Sequence, residues 1–196
     1  MNFDYNDEQK ALKDEARRFL SSVAPLATVR AVLDGAGQGY DPALWTRIGD
    51  QGWCGAAVPE QYGGTGMGHV ELCALAEELG RALAPVPFAS TAYLLAEALL
   101  LAGSEAQKAE LLPKLCTGGL IGALAVAEGP GVLSAKRITT RFAGGKLTGA
   151  KLPVTDGLAA NRMLVLAMSA DGPGLYLCDP TGSETTREPI FTVDRK

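Results

Sequence analysis

Residues 113–135, PKLCTGGLIGALAVAEGPGVLSA, mark a change in the period of the apolar residues along the chain. Before this stretch, apolar residues recur at helical spacing, and after it short β-branched runs are separated by glycine-containing turns. A change of period of this kind separates two architectures. The sequence therefore predicts an α+β protein, with an all-α helical bundle over residues 1–118 and an antiparallel β-barrel or sandwich over residues 119–196.

Capping residues predict where several helices of the N-terminal part begin. Asn6 and Ser104 are each followed three residues later by glutamine, which is the pattern of a capping box. Asp41 precedes a proline, and proline is well suited to the first position of a helix. Together with the apolar spacing, these signals predict about six helices that end near Gly118.

Two later helices carry more specific expectations. The helix over residues 69–83 is expected to bury one apolar stripe. Its members are Val70, Cys73, Ala74, Leu79 and Leu83. The next helix is expected to begin with Ser90 or Thr91 as its cap and to run to Gly103. Pro113 is expected to end or kink the last helix, because proline lacks the N–H that the helix needs.

The second part of the chain reads as short strands. Gly144-Gly145 lies between residues 137–142 and 146–147, and paired glycines are a strong hairpin signal. Residues 162–170, RMLVLAMSA, are typical of a buried strand. The turn DGPG at residues 171–174 then separates that strand from LYLCD. Short strands with closely spaced turns predict a barrel or a sandwich.

Composition and charge exclude several classes of protein. The net charge is −4, divided as −6 over residues 1–118 and +2 over residues 119–196. The sequence contains no basic cluster with interleaved aromatics, so nucleic-acid binding is not predicted. The four cysteines are scattered and His69 is the only histidine, so no zinc site is expected. The N-terminus lacks the pattern of a signal peptide and the apolar run at residues 93–102 contains Glu97. We therefore expect a cytoplasmic protein without a membrane span.

Three segments carry a resemblance to a known family. They are VPEQYGG at residues 58–64, LLPKLCTGGLIGALAVAEGPG at residues 111–131 and KLPVTDG at residues 151–157. Together they resemble the acyl-CoA dehydrogenases, flavoenzymes with a helical N-terminal domain and a β-barrel middle domain. The resemblance implies FAD as cofactor, an acyl-CoA substrate and electron-transfer flavoprotein as electron acceptor. It also implies a third, helical domain, whereas the sequence ends at Lys196.

The resemblance assigns cofactor-binding positions in two of these segments. They are Val126, Ala127, Pro153, Val154 and Thr155. Thr155 is expected to donate to the N5 edge of the flavin; without the resemblance it is an ordinary strand threonine. The chain departs from the family where Ala127 replaces a threonine, Gly129 a proline and Pro153 a tryptophan. Val132-Leu133-Ser134 also replaces the usual Gly-Ser-Asp.

Substrate-contacting positions follow from the resemblance less directly. Phe88, Leu94 and Leu95 are expected to line the acyl cavity, with packing in the helical core as the alternative for each. Ser134 is expected near coenzyme A. The cations at 136, 137 and 141 either meet coenzyme A phosphates or form the solvated face of a strand. No residue is predicted to be catalytic, because the resemblance places the catalytic base in the third domain.

Three functions remain open at this point. The chain is the helical and middle-domain portion of an FAD-dependent acyl-CoA dehydrogenase, inactive alone and homo-oligomeric as the parent protein. Alternatively, it is a non-catalytic subunit that stabilises a catalytic paralogue, which the departures at 127, 132–134 and 153 motivate. The third possibility is a flavin monooxygenase or oxidase with the same fold, since a fold does not determine a function.

Overall fold

The computed structural model describes residues 4–35 and 39–190, so residues 1–3 and 36–38 of the predicted helical domain and residues 191–196 of the predicted middle domain lie outside these ranges. The described part contains six α-helices, two of which are short. They are α1 (Asp7–Val23), α2 (Leu26–Leu33), α3 (Pro42–Asp50), α4 (His69–Arg81), α5 (Ala96–Ala102) and α6 (Glu105–Cys116). The five strands are β1 (Gly122–Ala125), β2 (Arg141–Ala143), β3 (Lys146–Thr148), β4 (Arg162–Ser169) and β5 (Gly172–Cys178). The α+β class is therefore confirmed.

The predicted caps are present at the helix starts. At α1, Gln9 N–H donates to Asn6 Oδ1 over 2.8 Å and Asn6 N–H donates to Gln9 Oε1 over 2.9 Å. Ser104 and Gln107 make the same reciprocal pair at α6. Asp41 caps α3 by accepting two backbone N–H groups. These contacts satisfy donors that the first turn of a helix leaves without a partner.

The helix before α5 differs from the prediction. Residues 89–95 form a π-helical segment that continues into α5, and neither Ser90 nor Thr91 caps it. Thr91 is instead fully buried, and its Oγ1 accepts the N–H of Gly122 at the start of β1 over 3.0 Å. Pro113, expected to end or kink the last helix, does not end α6, which continues to Cys116, and the kink stays a prediction. The apolar contacts of Leu112 and Leu115, which are completely buried, compensate for the missing hydrogen bond.

The buried face of α4 differs in part from the predicted stripe. Ala74 and Leu79 are buried as expected, but Val70 and Leu83 are 50% and 60% exposed, and Cys73 is exposed. The inward positions are instead Leu72, Leu75 and Glu78. The reason lies in α1, against which α4 packs, because Arg17 donates to both carboxylate oxygens of Glu78 over 2.8 and 3.0 Å. Paired with a guanidinium, the carboxylate can be buried.

The strands form one open, mixed sheet rather than the predicted antiparallel barrel or sandwich. The long strand β4 lies at its centre, with β5 antiparallel along one edge and β1 and β2 parallel along the other. The predicted hairpin at Gly144-Gly145 joins β2 to β3, which pair antiparallel. β1 and β4 run in the same direction because residues 126–161 carry the chain back to the end of the sheet where β1 began.

Helices and sheet share one apolar cluster. Leu95, Leu99, Leu112 and Leu115 from the helices pack with Leu164 of β4. Gly122 of β1 lies so close to Leu95 that a Cβ there would overlap the leucine side chain. The switch from helix to strand falls between Cys116 and Gly122, whereas the domain boundary at 118/119 remains a prediction.

The described residues also bear on metals and membranes. Within 4–35 and 39–190, no group of three histidine, cysteine or acidic side chains is placed to hold a metal ion. No helix in this part of the chain is long and apolar enough to cross a membrane. The four cysteines are free thiols.

Candidate functional site

Two of the three segments that carry the resemblance, residues 111–131 and 151–157, are joined by backbone pairing. Leu152 N–H donates to the carbonyl of Ala127 over 2.8 Å, and Gly129 N–H donates to the carbonyl of Leu152 over 2.7 Å. Glu128 and Leu152 thereby form an isolated parallel bridge. The predicted residues Val126 and Ala127 are thus held beside the segment that continues into Pro153 and Val154. The sequence separates the two segments, and only this pairing brings them together.

Thr155 is exposed and lies in a turn rather than on a strand. The following residue, Asp156, has a φ of 54°, and its carbonyl accepts the N–H groups of Ala159 and Ala160 over 3.0 Å each. This turn covers residues 155–159, so no strand continues through Thr155. The Thr155 hydroxyl is therefore carried by a turn whose backbone is held by its own hydrogen bonds.

A shielded ion pair holds the same two segments together. Lys151 Nζ donates to Glu128 Oε1 over 2.7 Å and to the carbonyl of Val126 over 3.4 Å. The Lys151 and Glu128 side chains are 7% and 12% exposed. The other carboxylate oxygen of Glu128 accepts the N–H and the hydroxyl of Thr139 over 2.7 and 2.6 Å, and Oε1 also accepts the N–H of Thr140. Three chain segments therefore meet at one carboxylate.

These contacts determine the charge state of Glu128. Burial by itself raises the pKa of the carboxyl, but hydrogen bonds from Lys151, Thr139 and Thr140 outweigh burial and hold the pKa well below its usual range. Glu128 is consequently a carboxylate whose charge is compensated inside the protein. It is not available as a proton acceptor at neutral pH.

A small cleft of about 100 Å³ lies beside this ion pair. The cleft is lined by residues 126–134 and by Arg137 and Ile138. Gly129 and Gly131 have φ values of 106° and 109°, a region that favours glycine. Ser134, predicted near coenzyme A, is exposed within the cleft. Sequence reasoning missed Lys151, because no local pattern relates it to a carboxylate 23 residues away.

The predicted acyl-contacting residues lie mainly in the core. Phe88 is 3% exposed and packs edge-on against Tyr93, in a cluster with residues of α1, α3 and α4. Leu95 is completely buried in the cluster that the helices share with the sheet. Leu94, by contrast, is 40% exposed. Packing alone explains the first two, and contact with an acyl chain remains a prediction for all three.

The chain is similar in sequence to known proteins. Residues 6–119 match the model described as "Acyl-CoA dehydrogenase, N-terminal domain", which is more than half of the chain. The chain belongs to the acyl-CoA dehydrogenase family. It is 34% identical over 171 residues to the mitochondrial isovaleryl-CoA dehydrogenase of Oryza sativa subsp. japonica, a match that covers 83% of this chain and 41% of that protein. The chain thus spans less than half the length of this curated relative.

Two solved structures share the fold. The ChsE4-ChsE5 complex from Mycobacterium tuberculosis superposes with a TM-score of 0.84 at 26% identity, covering 98% of this chain and 52% of that chain. A glutaryl-CoA dehydrogenase from Mycobacterium smegmatis, solved in complex with FADH2, gives a TM-score of 0.84 at 24% identity. That match covers 97% of this chain and 50% of that chain, and at this identity it speaks for the fold alone.

Proposed function

We propose that this chain supplies the helical and middle-domain parts of an FAD-dependent acyl-CoA dehydrogenase. The observation that carries the proposal is the pairing of Ala127 and Gly129 with Leu152, because it joins the two segments that the family uses to hold its flavin. The parent enzyme takes an acyl-CoA and removes one hydrogen from the α carbon and one from the β carbon of the acyl group. Electron-transfer flavoprotein is the proposed electron acceptor.

The residues present are suited to bind FAD mainly through main-chain groups and less through side chains. The cleft beside Glu128 is lined by a glycine-containing loop whose positive-φ residues keep the main chain open to a ligand. Ala127 supplies no hydroxyl, so Val126 and Ala127 would hold the cofactor by main-chain groups, with the Thr155 hydroxyl as the side-chain donor. A bound FAD would supply the hydride acceptor for this reaction. The residues of this chain bind, orient and shield; none is assigned as the base.

The test is a titration with FAD followed by visible absorbance. Shifted flavin bands are expected with the 196-residue chain or with the longest reading frame that contains it. Thr155→Val should weaken FAD binding about fivefold, the worth of one hydrogen bond. Thr148→Val is the matched control, because Thr148 is exposed on β3 and should leave FAD binding unchanged. Absence of flavin binding by both polypeptides would rule out the proposal.

A second candidate function is a non-catalytic subunit of an unlike pair. Two observations favour it: Ala127 lacks the hydroxyl that the resemblance leads one to expect, and the ChsE4-ChsE5 relative is itself a complex of two different chains. Co-expression with a neighbouring paralogue and co-purification test this candidate. A stable unlike complex with half-stoichiometric flavin supports it, whereas a flavin-saturated homo-oligomer excludes it and supports the first proposal.

A further inference from the structure

The turn that carries Thr155 includes a residue in a left-handed conformation. Gly157 N–H donates to the carbonyl of Val154 over 3.2 Å, and Thr155 and Asp156 lie between these two residues. The φ of 54° at Asp156 costs energy for any residue with a side chain, and such a conformation persists where the surrounding structure holds it. Contacts from outside the turn therefore bear on whether it keeps this shape.

Arg187 supplies such a contact from a distant part of the sequence. Its Nη1 donates to the carbonyls of Leu158 and Ala160 over 2.9 and 3.0 Å and to the carbonyl of Gly157 over 3.3 Å. The hydrogen bonds within the turn end on two other carbonyls, those of residues 154 and 156. Arg187 thus satisfies carbonyls that the main chain of the turn does not use, and a charged donor makes a stronger hydrogen bond than a neutral one.

The segment around Arg187 is otherwise exposed. From residue 181 to residue 190 every residue is exposed except Arg187, which is half-buried. Strand β5 ends at Cys178, and between there and Ile190 the described chain forms no further helix or strand. Arg187 is therefore the residue through which this segment reaches the turn. A cation beside the carbonyls at the end of a helical turn is also favourable electrostatically.

We infer that Arg187 is a positioning residue, whose guanidinium holds the turn at residues 155–159 so that the Thr155 hydroxyl is presented in one orientation. Arg187 acts through Thr155 and not by touching a cofactor. The inference rests on the proposed function for the choice of FAD as ligand, whereas the hold on the turn does not depend on that function. Sequence reasoning missed Arg187, because no local pattern relates it to a turn 27 to 30 residues earlier.

The first measurement is amide hydrogen exchange by NMR without a ligand. The three N–H groups that close the turn belong to Gly157, Ala159 and Ala160. In Arg187→Met these groups should exchange about tenfold faster, because the turn opens more readily without the charge-assisted hydrogen bonds. Arg187→Lys should restore part of the protection. Arg18→Met is the matched control: it removes a guanidinium that pairs with Glu15 on the surface of α1, and it should leave the three groups unchanged.

The second measurement is a double-mutant cycle on FAD binding, with the polypeptide that binds FAD in the titration proposed above. Thr155→Val is expected to weaken binding about fivefold, so Arg187→Met, acting through Thr155, should weaken it by no more than about fivefold. The double variant should also bind about fivefold more weakly, whereas two independent losses would multiply to about 25-fold. A general loss of stability would leave the effect of Thr155→Val unchanged, so the cycle separates positioning from a merely structural role.

The outcomes separate this inference from the proposed function. Faster exchange in the turn together with a fivefold loss in the double variant supports the inference. If FAD binds and Arg187→Met leaves its affinity unchanged, or if the two losses multiply, the proposed function stands and the inference is wrong. If FAD does not bind, the proposed function falls and the exchange rates decide whether Arg187 holds the turn: faster exchange supports this, and unchanged exchange overturns it. Should Arg187→Met fail to fold, Arg187→Lys gives the same comparison with a smaller effect.

Discussion

Replacing Lys151 by methionine should destabilise the protein by about 3 kcal/mol, because removing one partner of a buried ion pair costs about 3–5 kcal/mol. Met has nearly the length of the lysine stem, so packing is preserved and the charge is what is lost. The Glu128 carboxylate then stays shielded, at 12% exposure, without its cation. We expect the lower end of the range because Thr139 and Thr140 still donate three hydrogen bonds to it.

The measurement is urea unfolding at pH 7 followed by far-UV circular dichroism, combined with amide hydrogen exchange. The N–H groups of Thr139 and Thr140, which donate to Glu128, should lose protection in Lys151→Met. Lys146→Met is the matched control: Lys146 pairs with Glu184 on the surface, with side chains 64% and 76% exposed. Such a pair is worth less than about 1 kcal/mol. Equal losses of stability in the two variants would refute the reasoning.

Three further predictions concern charge and packing. Folding lowers the pKa of the Glu128 carboxyl, so its contribution to stability is present above the pKa of about 4.3 in the unfolded chain and is lost as pH falls below that value. Glu128→Gln should therefore make the stability less dependent on pH in the acid range. An unchanged pH dependence would contradict this prediction. Gly122→Ala should cost about 1–3 kcal/mol because its Cβ overlaps Leu95. Gly80→Ala, in α4 with open space around it, should instead stabilise by about 0.5–1 kcal/mol, and both are checked by thermal unfolding. Glu78→Leu leaves the guanidinium groups of Arg17 and Arg81, whose side chains are 45% and 64% exposed, free to be solvated, so it should lower stability less than Lys151→Met. A larger loss of stability in the same urea assay would contradict this prediction.

The candidate site was predictable in outline only. The resemblance located the residues at 126–127 and 153–155, and the structure pairs the first segment with the residue that precedes the second. It did not predict Lys151 as the partner of Glu128, nor the turn that carries Thr155. Such contacts join residues far apart in the chain, and their partners depend on the path of the backbone between them.

The sequence by itself determined the features that depend on near neighbours. The capping boxes at Asn6 and Ser104 and the hairpin at Gly144-Gly145 follow from contacts within a few residues, so their residue types suffice to predict them. Only the tertiary structure decided the parallel pairing of β1 with β4, the inward position of Glu78 and the shielding of the Glu128–Lys151 pair. Local interactions do not distinguish these arrangements from other strand pairings and side-chain positions of similar energy. The long-range partners that burial brings into contact determine which arrangement forms.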